Sequence, residues 1–436
     1  MFTNIKKFAN NSFLMNNIDR ITFLVLLFLL FSAVNSSSET MGCLALLFSF
    51  LVLFKKVFSG DIFKISFSGI EKAVLIYFLI VTVSLFASTL FSLSLHGYIK
   101  TLIYILFFYC AGMFFKQNEN KIPAVILFVT ALMSYESIIA IYQNMGGVVE
   151  ISGWQDMSNI NPEQVVSRAY GTLQPYNPNL LAGYLLCGLA TFVYLILVNL
   201  KSGKKRVALV FLGLLLLNLI AIIDTGCRGA YLGFLFFFPV LFLALIYHVQ
   251  RNLGGFENIK KRYKNLTVAG IVGIILFVVT NPALIKRVES IFALRADSSI
   301  SFRMNVYEAV WKMFLDNPFL GIGVGNQNFR EIYGLYMKTG YDALGSYCVP
   351  LEIAVESGIF ALIVFIIFLI LVIRQCFKVC KSEKNINIKV LALCIALVVF
   401  ATMGHGLFDT IWFRPQVQFL FWTFVAMLKT DKLSLN

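Results

Sequence analysis

The sequence predicts an all-α polytopic membrane protein with about twelve transmembrane helices, and its composition and charge distribution are the observations behind this prediction. Of the 436 residues, 59% are hydrophobic and 13% are charged, and the mean hydropathy is +0.82. A soluble globule of this composition would expose too much apolar surface to water. Long apolar runs in a bilayer form helices, because a helix pairs its backbone polar groups within the segment.

Twelve apolar runs, separated by charged or Pro/Asn/Gly-rich breaks, are the predicted helices. Crossing a hydrocarbon core about 30 Å thick takes about 20 residues of helix. The runs lie near residues 21–34, 41–54, 73–92, 97–115, 122–144, 179–198, 207–224, 229–247, 266–280, 351–373, 390–408 and 414–428. We expect residues 1–436 to form a single membrane domain without an appended soluble domain.

The basic residues predict the orientation of these helices. Most of the 36 Lys and Arg residues fall on one side of the membrane if the N-terminus is cytoplasmic. Because cytoplasmic loops carry an excess of basic residues, we expect both termini on the cytoplasmic side of the inner membrane. The basic residues behind the net charge of +14 then form short clusters at helix ends rather than one continuous face. No nucleic-acid partner is therefore predicted.

Two long extracytoplasmic loops are expected, over residues 146–178 and 281–349. Within the second, apolar residues at spacings of three and four predict a short helix with one apolar face: Ile300, Met304, Tyr307, Trp311 and Phe314. The run from Gly321 through Gly323 to Gly325 then predicts a tight loop whose backbone closely approaches the bundle or a polar ligand. No Lys-Ser/Thr follows these glycines, which argues against a nucleotide loop.

Three arginines on the predicted outer side are candidates for one anion site. Arg228 stands at the start of the eighth predicted helix, and a five-donor guanidinium beside a helix N-terminus suits a phosphate. The alternative is an arginine that merely reaches the membrane interface. Arg168 and Arg303 lie on the same predicted side. The eight scattered cysteines form neither a disulfide framework nor a zinc spacing, and no metal or cofactor is predicted.

Several segments carry a resemblance to a known family. They are Asn177-Pro178-Asn179, Thr225-Gly226-Cys227-Arg228-Gly229-Ala230, Phe302-Arg303, Asn317-Pro318 with Gly321-Ile322-Gly323, and Leu351-Glu352 through Glu356-Ser357-Gly358. Together, in this order and with the long loop before the tenth helix, they resemble the O-antigen ligase and O-antigen polymerase superfamily.

The resemblance implies transfer or polymerisation of a polyprenyl-diphosphate-linked glycan at the outer face of the cytoplasmic membrane, by a metal-independent glycosyltransferase without a cofactor. The implied partners are membrane lipids, the lipid-linked glycan donor and a glycan or lipid acceptor. Arg228 and Arg303 match arginines that hold the diphosphate, and Arg168 is a third candidate. We expect a further set to line or shape the groove: Asn177, Asn179, Gly321, Gly323, Glu352, Glu356 and Arg414.

The sequence departs from this family at the general base. Ligases carry a histidine just before the tenth helix, where this chain has Tyr347 and Cys348. Tyr347 is a poor base at neutral pH unless its pKa is strongly perturbed. His405 and Asp409, four residues apart, could form an oriented base on one helix, although capping or helix packing explains them equally well. Tyr347, His405 and Asp409 are therefore the candidate catalytic residues.

A second resemblance leaves the function open. Asp342-Ala343-Leu344, residues 346–352, Asp409-Thr410 and residues 413–418 resemble the inorganic-carbon (IctB-type) transporter subgroup of the same superfamily. The alternative function is thus a bicarbonate transporter or its accessory, although the sequence has no paired broken helices or buried ion-binding cluster. A purely structural role is a third possibility. A transferase requires Arg228 and Arg303 to converge at the outer edge, whereas a carrier requires cations near the midplane.

Overall fold

The computed structural model describes residues 13–59, 67–146, 168–253, 298–383, 385–430 and 433. These ranges contain thirteen α-helices, three short 3-10 helices and no strand. The α-helices are α1 (Phe13–Phe31), α2 (Ser38–Ser59), α3 (Gly69–Ala87), α4 (Phe91–Gln117), α5 (Ile122–Met145), α6 (Pro178–Lys201), α7 (Lys205–Asp224), α8 (Arg228–Leu253), α9 (Ser298–Asp316), α10 (Asn326–Tyr333), α11 (Val349–Ser382), α12 (Ile386–Gly406) and α13 (Pro415–Ala426).

Within these ranges, nine helices are long and apolar enough to cross a membrane: α2 to α8, α11 and α12. The last predicted segment coincides closely with α13, whereas the first overlaps α1, which begins at Phe13 and ends at Phe31 rather than spanning residues 21–34. The predicted ninth helix at 266–280 lies outside the described residues, as do residues 147–167 and 281–297 of the two predicted loops. The protein is an all-α polytopic membrane protein, so the predicted fold class is confirmed.

The break between the third and fourth helices differs from the prediction. It lies at residues 88–90, where Ser88 adopts an extended backbone, whereas the sequence placed the break after residue 92. Leu90 and Phe91 continue the apolar run across the turn, so hydropathy alone conceals the break. As a result, α4 starts earlier and carries Lys100 three turns into the helix.

The centre of the bundle is formed by α6, α12 and α13, whereas α7 and α8 lie at its outside. Tyr184 and Phe192 of α6 are buried, while Leu209 of α7 and Leu235 of α8 are exposed on the surface of the bundle. Small residues permit the close approach of helices where lipid offers no hydrophobic drive for association. At Gly233 of α8, an added Cβ would come within 3.0 Å of the Ala401 carbonyl oxygen of α12.

The segment from Pro318 to Gly325, which we call the glycine loop, fills a break in α11. Gly358 has φ +82° and interrupts this long apolar helix, which would leave backbone polar groups around the break unpaired. Residues 318–323 satisfy them: the amide of Ile359 donates to the Pro318 carbonyl, and the amides of Ile322 and Gly323 donate to the carbonyls of Val355 and Glu356, each at 2.9 Å. The loop is therefore packed against the helical bundle, and the close backbone approach expected of its glycines is observed.

Helix α9 is present as predicted, but the apolar face identified by spacing is not the face that the helix buries. The buried residues are Phe302, Val306, Ala309, Val310 and Met313, which pack with α10 and α11. Trp311, placed on the apolar face by spacing, is 53% exposed. Two offset apolar faces fit the same spacing, and the positions of α10 and α11, which periodicity does not report, decide between them.

We predict that Gly358→Ala destabilises the protein, because the Phe319 carbonyl occupies the space of an added Cβ and because φ is positive. The expected loss is about 1–3 kcal/mol in the free energy of unfolding. Thermal denaturation of the detergent-solubilised protein measures it. The matched control is Gly213→Ala on α7, where nothing lies within 4 Å of an added Cβ. Equal melting temperatures for the two variants would contradict the prediction.

Candidate functional site

A cavity of about 610 Å³ opens at the end of the bundle where α2, α6, α8, α9 and α13 begin. We call it the cationic cavity because five basic side chains line it: Lys100, Arg168, Arg228, Arg303 and Arg414. Two carboxylates, Glu39 and Asp409, also line it. Positive charge predominates on its described walls, which favours an anionic ligand.

The segment that carries Arg168 is tied to two helices. The Gln143 side chain of α5 accepts hydrogen bonds from the amides of Tyr170 and Gly171 at 3.1 and 2.8 Å. Arg168 itself donates from Nε to the Thr225 carbonyl oxygen at 2.8 Å, at the turn between α7 and α8. These bonds fix the guanidinium close to the start of α8.

Asn179 links Arg168 to Asp409. Its Oδ1 accepts a hydrogen bond from Arg168 at 2.5 Å, and its Nδ2 donates to Oδ2 of Asp409 at 2.8 Å. The same Asp409 oxygen lies 3.5 Å from a terminal nitrogen of Arg303. A side-chain amide can accept a hydrogen bond from a cation through its oxygen and donate one to an anion through its nitrogen. This series of contacts therefore holds two arginines at one cavity.

Asn177 and Pro178 start α6 and thereby place Asn179. The Asn177 side chain accepts the amides of Asn179 and Leu180 at 2.8 and 3.3 Å, a normal N-cap. Pro178 occupies the first helical turn, where its missing amide hydrogen costs nothing. The Asn-Pro-Asn motif is therefore a helix start whose last member faces the site.

Arg228 is the first residue of α8 and is largely buried in the cavity wall. Gly226, with φ +58°, makes the turn that precedes it. Between them, Cys227 points away from the lining and lies with its Sγ 3.4 Å from Nε2 of His405. The turn thus presents Arg228 to the cavity while its cysteine packs against α12.

Arg303 enters the cavity from α9. Its side chain is 15% exposed, and its guanidinium carbon lies 5.4 Å from the centre of the Tyr347 ring, in a cation–π contact. Phe302, beside it in sequence, is buried against Tyr341 and Tyr347. Burial lowers the pKa of Arg303, but the negative charge of Asp409 and further groups raise it above its usual value, so the side chain remains a cation.

Tyr347, which the sequence resemblance aligns with the histidine of the ligases, lines the cavity but is unsuited to act as a base. Burial first, and then the charge of Asp409, raise the pKa of its hydroxyl. The phenol therefore stays protonated at neutral pH. Its positive φ of 56° and the hydrogen bond from the Tyr307 hydroxyl to its carbonyl, at 3.2 Å, hold the ring beneath Arg303.

The expected helical pair of His405 and Asp409 is not formed, because α12 ends at Gly406. The Phe408 amide donates to the His405 carbonyl in a tighter turn, and Asp409 lies beyond the helix. His405 is only 3% exposed and does not line the cavity, whereas Asp409 does. Among the residues that the structure describes, no group of three His, Cys, Asp or Glu side chains could hold a metal ion.

The residues expected in the groove divide into two sets. Asn177, Asn179 and Arg414 line the cationic cavity. The others support the loop behind it: Gly321, Gly323, Glu352 and Glu356. Glu352 accepts the Ser346 amide, and Glu356 accepts the Gly325 amide at 2.8 Å, so both buried carboxylates brace loop backbone.

Residues 213–366 match the family model of the O-antigen ligases. The resemblance to that superfamily is confirmed. The inorganic-carbon transporter subgroup is not confirmed, and no curated protein matches the chain. The matched O-antigen ligase segment contains Arg228, Arg303 and Tyr347, whereas Arg168, Asn179 and Asp409 lie on either side of it.

Glu39 and Lys100 line the cavity, although their sequence context does not single them out. Glu39 belongs to the first turn of α2, after a run of serines, and Lys100 lies on α4. The available signals were modest: a lone acidic residue in a predicted outer turn and a basic residue on the side that is otherwise poor in them. Only the packing of α2 against α4 brings them to the site.

We predict that Asn179→Asp weakens binding of inorganic pyrophosphate, because a carboxylate cannot donate to Asp409 and repels it. The expected loss is about 1–3 kcal/mol of binding free energy, measured by calorimetry on the detergent-solubilised protein. The matched control is Asn199→Asp near the other end of the same helix, where the amide donates to the Leu195 carbonyl. Unchanged affinity in Asn179→Asp would refute the role of the link.

Proposed function

We propose that this protein is a metal-independent glycosyltransferase of the O-antigen ligase and polymerase type, which transfers or polymerises polyprenyl-diphosphate-linked glycan. The observation that carries the proposal is the placement of Arg168, Arg228 and Arg303 around one cavity at the end of a membrane bundle. The match of residues 213–366 to the O-antigen ligase family supports the same class of substrate.

The chemistry requires stabilisation of a departing diphosphate. An acceptor hydroxyl oxygen forms a bond to the anomeric carbon of the donor glycan, the carbon–oxygen bond to the diphosphate breaks, and polyprenyl diphosphate leaves with the electron pair. Negative charge on the diphosphate grows as that bond breaks. Arginines fixed in advance by Asn179, Asp409 and Tyr347 stabilise this charge without reorganising during the reaction.

An apolar part of the lining suits the lipid portion of such a donor. Leu46 of α2, Ile103 of α4 and Phe419 of α13 share the cavity with the basic residues. Leu46 is 44% exposed, so the cavity presents accessible apolar surface beside its basic residues. A polyprenyl chain can therefore remain in an apolar environment while its diphosphate reaches the arginines.

We place the cavity on the outer side of the cytoplasmic membrane, with both termini cytoplasmic. The ends of α2, α4 and α6 that lie away from the cavity carry basic collars, for example Lys55 and Lys56, Lys116, and Lys201. The positive-inside rule assigns those ends to the cytoplasm.

The bicarbonate-carrier alternative receives no specific support from the described residues. A carrier would need its cations near the midplane, with access from both faces. Arg228 begins α8 and Arg414 immediately precedes α13, so both lie at helix ends. The break in α11 is filled by residues 318–323 of the chain itself.

We predict that Arg228→Lys and Arg303→Lys each lower transfer roughly a hundredfold, because an ammonium lacks the planar fork that pairs with a diphosphate. Release of polyprenyl diphosphate from a lipid-linked oligosaccharide in proteoliposomes measures transfer, and accumulation of lipid-linked glycan reports it in cells.

The matched control is Arg206→Lys, at the opposite, exposed end of α7. Wild-type turnover in both cavity variants would refute the proposal, as would unchanged lipid-linked glycan in cells that lack the gene altogether.

A pair of Tyr347 variants separates stacking from proton transfer. Tyr347→Phe keeps the ring beneath Arg303 and should retain the pH profile of transfer, because the buried phenol does not titrate near neutral pH. Tyr347→Ala removes the ring and should lower turnover by a factor corresponding to about 0.5–2 kcal/mol. Loss of a limb of the pH profile in Tyr347→Phe alone would instead make the phenol a proton-transfer group.

A further inference from the structure

We infer that Glu39 is the carboxylate that receives the acceptor substrate, and that it takes the proton of the attacking hydroxyl. This inference rests on the proposed transferase function and assigns the step for which Tyr347 is unsuited. Glu39 lies in the first turn of α2 and lines the cationic cavity together with Ser38, Lys100 and Asn326. Carboxylate, hydroxyl and amide groups of this kind are the partners that sugar hydroxyls bind.

The position of Glu39 is fixed by the packing of α2 and by contacts of its carboxylate with neighbouring side chains. Met41 and Ala45, on the next turns of α2, are buried in the bundle core and fix the register of the helix. The Ser38 hydroxyl donates to Oε1 of Glu39 at 2.9 Å, and Lys100 of α4 interacts electrostatically with the carboxylate. The carboxylate is therefore oriented, yet exposed to the space that a substrate would enter.

The other carboxylate of the described lining is already committed. Oδ2 of Asp409 accepts from Asn179 and faces Arg303, while Oδ1 accepts the Thr410 amide at 2.8 Å. Protonating it would remove the charge that holds Arg303. Asp409 thus positions the arginines. Glu39 is the other carboxylate of the described lining, and it does not hold an arginine in place.

Glu39 also lies on a suitable wall. Arg168 comes from the segment that precedes α6, Arg228 from the start of α8 and Arg303 from α9, whereas Glu39 and Lys100 come from α2 and α4. In a direct displacement, the base acts on the nucleophile, away from the leaving group. A diphosphate at the arginines leaves the α2 and α4 wall for the acceptor.

The step balances without a further reactant. The acceptor oxygen bonds to the anomeric carbon as its O–H bond breaks, and the proton passes to the Glu39 carboxylate. The anomeric carbon–oxygen bond breaks with its electron pair on polyprenyl diphosphate, and Glu39 later returns the proton to water. Proton transfer by a positioned group contributes about 10²–10⁴-fold to a rate.

The test uses the full-length protein in proteoliposomes with a polyprenyl-diphosphate-linked oligosaccharide donor and its acceptor glycan. Glu39→Gln, which keeps the shape of the side chain, should lower turnover roughly a hundredfold while the dissociation constant for polyprenyl diphosphate stays unchanged. Glu39→Ala should show a similar loss that added formate or azide partly restores, because a small base can occupy the space of the missing carboxylate. Glu331→Gln, on the exposed face of α10 and away from the lining, is the matched control and should behave as wild type.

The outcomes separate the two proposals. Wild-type turnover by Glu39→Gln, loss of donor binding in that variant, or failure of formate and azide to restore Glu39→Ala would each overturn the role of Glu39 and leave the transferase proposal standing. Absence of turnover in the wild-type protein would overturn the transferase proposal, and the role of Glu39 with it. Formate rescue with unchanged donor binding is the expected result, and a merely structural glutamate would not produce it.

Discussion

Mutual repulsion among the arginines is the constraint on which this site depends. Like charges repel each other, and the repulsion is stronger where the groups are shielded from water. The chain from Arg168 through Asn179 and Asp409 to Arg303 offsets that repulsion with one amide and one carboxylate. The amide is neutral and only the carboxylate carries a negative charge. The two arginines are therefore stabilised while the cavity keeps a net positive charge. The remaining positive charge is what a diphosphate would neutralise.

The position of Arg303 depends on the glycine loop and on the broken helix α11, because both support α9. Arg303 sits on α9, whose buried face rests on α10 and α11. Gly358 breaks α11 so that residues 318–323 can pair with its backbone, and the Glu356 side chain then accepts the Gly325 amide. The loop glycines are required by close backbone contact, as at Gly325, where an added Cβ would lie 3.0 Å from the Cα of Gly97.

Hydropathy was sufficient to predict the long apolar helices that the structure describes, and periodicity predicted α9, but α10 was not predicted and side-chain partners depend on packing that neither pattern encodes. The break at residues 88–90 was misplaced because Leu90 and Phe91 are apolar, and the apolar face identified on α9 differs from the face that the helix buries, since Trp311 is exposed. The candidate arginines were accessible to sequence reasoning because all three lie on the predicted outer side, where basic residues are few. The end of α12 before Asp409, and the arrival of Glu39 beside Lys100, follow from tertiary contacts between distant segments.

The division of the cavity between segments bears on how one scaffold can serve different glycans. The O-antigen ligase match covers α8, α9 and the glycine loop, and thus Arg228 and Arg303. The link through Asn179 and Asp409, and the wall with Glu39 and Lys100, come from outside that segment. The leaving diphosphate is chemically the same whatever sugar it carries, so its arginines can stay fixed while the opposite wall varies. In the proposed transferase, selectivity for the acceptor would reside in α2 and α4, where a change of one or two polar side chains would alter which hydroxyl is received without disturbing the arginines.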